Sequence, residues 1–116
     1  MQLPNSRSAH VTQEKVVEYL LSSTHADGQM KARFFIAHGF SVEAWQQFAQ
    51  TLVMHAQEHP VARVEPSAFG VRYVVEGILH TPDGRKPLVR TVWFIETDET
   101  IPRLVTAYPL KMREDR

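Results

Sequence analysis

The chain has no cysteine, which removes thiol nucleophiles, disulfides and cysteine-ligated zinc from consideration. It has no charge excess either: 13 basic and 13 acidic side chains cancel. Proteins that hold nucleic acid by bulk electrostatics usually carry a basic surplus, so no bulk electrostatic nucleic-acid binding is expected. No apolar run approaches the roughly 18 residues of a membrane span, and the opening MQLPNSRSAH lacks an apolar signal core. The expectation is a cytoplasmic protein with no membrane partner. Also missing are a glycine-rich phosphate loop, a paired-carboxylate constellation and a nucleophile elbow. No cofactor and no metal are expected.

What is present reads as an ordinary globular domain. The 116 residues are 43% hydrophobic and 22% charged, enough to bury a core without a staple. Residues 1–11 are polar and aperiodic and read as a flexible lead-in. A single domain over 12–110 is expected to follow, and then a charged tail at 111–116. Thr12 is placed to cap a helix over 13–22, whose apolar stripe is Val16, Val17, Leu20 and Leu21. A second helix spans 29–38, with Met30, Phe34 and Ala37 on one face, and Gly39 suits the position that ends it. Ser41 caps a third helix over 42–58, with Phe40 and Trp45 as a hydrophobic staple. Its stripe runs Trp45, Phe48, Ala49, Leu52, Val53 and Ala56.

At Pro60 the periodicity changes from 3.6 to 2. Strands are predicted over 61–65, 70–80, 86–97 and 103–108, with Pro66 confining the first to an edge. Thr81, Pro82, Asp83 and Gly84 have the chemistry of a hairpin turn. Helices followed by a meander give an α+β fold, an antiparallel sheet of three or four strands under the helices. The predicted core joins Trp45, Phe48, Leu52, Val92 or Trp93, Phe94 and Leu104. Alternation puts Leu104, Thr106 and Tyr108 on one face of the last strand.

Six histidines invite a metal reading. His55 and His59 have helical i, i+4 spacing, but HAQEH lacks the HExxH order, and histidines near a helix C-terminus also suit its dipole. His10, His38 and His80 are expected at the surface. His25 differs, because it lies in a polar loop with Lys31 close behind it. A histidine titrating near neutrality and a fixed cation suit proton transfer and stabilisation of an anionic transition state. The plainer account is that His25 braces the loop. Among strand residues, Arg90 needs a partner if buried. Tyr108 reads first as a core aromatic whose hydroxyl reaches the rim.

The segments YLLSSTHADGQMKARFF (19–35), GF (39–40), YVVEG (73–77), TPDGR (81–85), RTVW (90–93) and PRLVTAYP (102–109) together resemble a known signature. It is that of a family of small bacterial domains of unknown function, DUF6883-like, whose relatives also occur at the ends of polymorphic-toxin-like proteins. The resemblance implies a toxin-system-related interaction module, with a protein or RNA as the partner, and His25, Gly28 and Lys31 fall on the signature. The architecture is also similar to that of barnase-like, colicin-like and RelE-like ribonucleases. That likeness implies a metal-independent site on RNA phosphodiesters. In it His25 transfers a proton, Lys31 and Arg90 stabilise the phosphorane, and Thr106 and Tyr108 orient the phosphate. Whether the chain is an enzyme stays open at this point.

Overall fold

The computed structural model describes residues 1–21 and 29–110. Four strands form an antiparallel meander: β1 (Val61–Ser67), β2 (Gly70–Ile78), β3 (Leu88–Glu96) and β4 (Arg103–Pro109). Helices α1 (Gln29–Ala37) and α2 (Trp45–Glu58) precede it, after a π-helical segment at Lys15–Leu20. The fold is α+β, as the periodicity change predicts.

The caps explain where the helices begin and end. Thr12 Oγ1 accepts from the Lys15 N–H at 3.0 Å. The Leu21 N–H then reaches back five residues to Val16 O, and Val16, Leu20 and Leu21 are all buried. Gly39, at φ +105°, closes α1 in a Schellman arrangement: Phe40 N–H donates to Phe35 O and Gly39 N–H to Ile36 O. Ser41 Oγ accepts from Ala44 N–H at 3.3 Å, so it caps a turn, and α2 starts at Trp45 rather than at 42. Phe40 stacks on Phe48 with ring centroids 4.3 Å apart, while Trp45 is only partly buried.

The core lies between the helices and one face of the sheet. Its sheet residues are Val75, Val89, Trp93, Leu104 and Ala107; its helical residues include Phe35, Phe48 and Leu52. Four expectations need correcting here. Phe94 is not in this cluster, because the register puts it on the opposite face with Arg72 and Arg103. Val92 likewise points away from the helices, so it is Trp93 that joins the core. In α1 the buried side is Ala32 and Phe35, and Ala37 is exposed. A helix apolar on several sides fits more than one stripe, and contact with Phe48 decides which is used. Residues 1–11 make defined contacts: Leu3 is in the core, and the His10 N–H donates to Pro102 O while His10 O accepts from Leu104 N–H. One apolar side chain in a polar stretch leaves no periodic trace.

The fourth correction matters most for the site. β4 carries a bulge, since Trp93 pairs with Leu104 but Val92 pairs with Thr106. The extra residue, Val105, reverses the alternation. Leu104 therefore enters the core, and Thr106 and Tyr108 lie on the opposite face, level with Val92 and Arg90. The β2–β3 connection is also longer than predicted. The strands stop at Ile78 and Leu88, and the turn is closed by Gly84 N–H donating to Thr81 O. The Thr81 hydroxyl donates to Asp83 Oδ1 at 2.6 Å and holds that carboxyl below its ordinary pKa, with the Arg85 backbone and charge assisting.

Candidate functional site at the β4 edge

Arg90 and Glu76 face each other across β2 and β3. They are seven residues either side of Asp83, at the centre of the hairpin loop, so the turn sets their pairing. Arg90 donates from Nε to Glu76 Oε2 at 2.8 Å and from Nη2 to the same oxygen at 2.6 Å. Its remaining branch, Nη1, donates to the Tyr108 hydroxyl at 3.1 Å. This is the partner that a half-buried arginine requires. The bond to Tyr108 is the main reason that the guanidinium pKa is raised, and the Glu76 bond adds to it against the opposing effect of burial.

Lys31 joins from α1, the helix that packs beside the edge strand β4. It lies one turn before the buried Phe35, so the same helical stripe carries it past the core to the sheet margin. Its ammonium donates to Thr106 Oγ1 at 3.0 Å. It lies 5.4 Å from the centroid of the Tyr108 ring and 5.7 Å from that of Tyr19. Cations at such distances over aromatic faces are held by the ring quadrupole. Lys31, Glu76, Arg90, Thr106 and Tyr108 are all intermediate in exposure, so the cluster is held by its own contacts and is partly exposed.

Of the five residues that the sequence proposes for a site, four meet here: Lys31, Arg90, Thr106 and Tyr108. His25, the fifth, lies outside the described residues. Glu76 is the member that sequence reasoning missed. Its signal was the hairpin register, which can be counted outward from Asp83 to reach Arg90.

One family model matches residues 2–111, under the description "Domain of unknown function (DUF6883)". The chain belongs to this family. No curated protein and no solved structure matches it. The matched span takes in the helices, the whole sheet and every residue of the cluster.

Four of the other histidines have side-chain partners. His55 is fully buried on α2, where its Nε2 meets only carbonyls, Val89 O at 2.9 Å and Gly77 O at 3.1 Å. Nε2 must therefore carry the hydrogen. Nδ1 then accepts from the Thr91 hydroxyl at 3.1 Å, and Thr91 Oγ1 accepts from Trp93 Nε1–H at 2.8 Å. The chain of donors runs one way and fixes a neutral imidazole. Burial lowers the His55 pKa to about 4, and the neighbouring His59 acts in the same direction. His59 Nε2–H donates to Ile78 O at 2.8 Å. The i, i+4 pair thus fastens α2 to the carbonyls of the hairpin. His38 is buried rather than at the surface, with Nδ1–H donating to Phe34 O one turn back. His80 donates to Glu58 at the surface. Among the described residues, no three histidine or carboxylate side chains gather as a metal set, and no helix is long and apolar enough to cross a membrane.

Proposed function

We propose that the domain is a metal-independent, ribonuclease-like module acting on RNA phosphodiesters. The observation that carries this reading is the pair of ordered cations, Lys31 and Arg90, bound to one tyrosine at an open margin of the sheet. In the reaction the ribose 2′-oxygen attacks phosphorus and the bond from phosphorus to O5′ breaks. The products are a 2′,3′-cyclic phosphate and a free 5′-hydroxyl. One proton leaves the 2′-hydroxyl and one reaches O5′. The phosphorane carries more negative charge than the substrate, and preorganised cations stabilise that difference. Lys31 and Arg90 have this role, while Thr106 and Tyr108 orient the phosphate. His25, on the sequence argument, and the Glu76 carboxylate are the groups for proton transfer.

A second reading is a toxin-system interaction module without catalysis. Its support is the closeness of Glu76 to Arg90, which occupies two nitrogens of the guanidinium fork. In that case the cluster braces α1 against β4.

Purified protein incubated with single-stranded RNA separates the two, with products identified by mass as cyclic phosphates. Alanine variants at His25, Lys31 and Arg90, each checked for fold, should lose about 10²–10³-fold in rate, the usual cost of removing one oxyanion stabiliser or acid–base group. No cleavage by the parent, or equal cleavage by all four proteins, overturns the catalytic reading.

A further inference from the structure

The sheet face turned away from the helices continues beyond the Lys31–Arg90 cluster. Four residues along β3 from Arg90, and so roughly 13 Å away, lies Phe94. The register places Arg72 of β2 directly opposite it on one side and Arg103 of β4 on the other. An aromatic residue thus has an arginine on each side of it in the register of three adjacent strands. The position of Phe94 is built in: an added Cβ at Gly70 would lie 2.7 Å from Phe94 Cζ, so the ring is seated on the bare glycine of the next strand. It is partly exposed even so.

The charges around it are unevenly paired. Glu65 takes Arg63 at 2.6 Å and reaches Arg72 only at 3.9 Å. Arg103 meets no carboxylate among the described residues, and neither does Lys31. Among the described residues, two cations on this one surface thus lack an acidic partner, one at each end of the row from Lys31 to Phe94. A polyanion with flat apolar rings complements such a surface: phosphates meet the cations, and a base stacks on the aromatic ring.

We infer that Phe94, flanked by Arg72 and Arg103, is a base-stacking subsite for single-stranded RNA extending from the Lys31–Arg90 cluster. The identity of the polyanion rests on reading that cluster as a phosphodiester site. The stacking contact accepts any base, since every base has a π face, and the arginines take the phosphates on either side of it. Duplex RNA, whose bases are stacked on one another, has no free face to offer.

The test uses the full chain and a fluorescein-labelled, 2′-O-methylated oligouridylate, which keeps bases and phosphates but removes the attacking hydroxyl. Fluorescence anisotropy is read at low and high salt, beside a blunt RNA duplex of the same length. Binding to the single strand is expected, weakening as salt rises and exceeding binding to the duplex. Phe94→Leu should weaken it about 5- to 100-fold, the range found when a stacking aromatic is removed. Because Phe94 also covers Gly70, the exposed Arg103→Gln serves as the second variant. It should weaken binding and make the salt dependence shallower by about one counterion. Equal affinity for duplex and single strand overturns the subsite, as do two folded variants that bind like the parent. A parent that binds no oligonucleotide overturns it and leaves the face to a protein partner. Failure of the catalytic reading is distinguishable: a parent that binds as expected but cleaves nothing leaves the subsite standing.

Discussion

Lys31 on α1 places its ammonium 5.4 Å from the centroid of the Tyr108 ring on β4, and the Arg90 guanidinium carbon lies 5.5 Å from the same centroid. One edge-strand tyrosine thereby orders two cations from two different elements. Its hydroxyl serves Arg90 and its ring serves both. Like charges held near one another are costly unless something compensates. Here Glu76, Thr106 and the tyrosine do so.

Tyr108→Phe keeps the ring and removes only the acceptor for Arg90. The expected loss is about 0.5–1.5 kcal/mol, that of one hydrogen bond. Tyr108→Leu also removes both cation–π contacts and should cost about 1 kcal/mol more. Urea unfolding measures both. A leucine variant as stable as the phenylalanine variant would show that the ring contacts contribute nothing.

Phe48 is fully buried and touches Phe35 and Phe40. Truncation to alanine should cost about 3–5 kcal/mol, because the neighbouring rings cannot fully close the cavity. A measured cost below about 1 kcal/mol would mean that α2 does not pack on the sheet as described.

His55 makes stability depend on acid. Its pKa is about 4 in the folded protein, against 6.5 for the free side chain. Between these values the unfolded chain binds a proton that the folded one does not, so stability falls as pH falls. The contribution is complete above about pH 6.5 and is lost towards pH 4, amounting to about 3 kcal/mol in all. His55→Gln cannot titrate. It should be less stable than the parent at neutral pH and show a shallower decline over that window. Parallel stability curves for the two proteins would falsify this account.

Gly77 has no room for a side chain: an added Cβ would lie 2.4 Å from Cγ of the His59 ring. Gly77→Ala should destabilise by about 1–3 kcal/mol through overpacking. If the ring is the cause, His59→Ala should remove most of that penalty, and the double variant should be more stable than the sum of the single effects predicts. Strict additivity would point instead to the strand backbone.

The local elements were legible in the residues themselves. The change of period at Pro60, the cap at Thr12, Gly39 after α1 and the turn at Thr81–Gly84 each act over a few bonds, so a short stretch determines the outcome. That the strands form a meander follows from the same local signals. Lys31, Arg90, Thr106 and Tyr108 could be picked out as chemically able groups, but only tertiary structure decided that they meet. Val105 carries no mark of a bulge. Yet the bulge there sends Leu104 into the core and brings Thr106 and Tyr108 to the face of Arg90. The choice of Ala32 and Phe35 as the inner side of α1, the place of Leu3 in the core and the inward turn of His55 have the same origin. Each depends on what a distant element offers: a Phe48 ring, a gap beside the helices, a Thr91 hydroxyl with two carbonyls. Local propensity cannot encode a partner tens of residues away, and burial rewards whichever alternative fills that space.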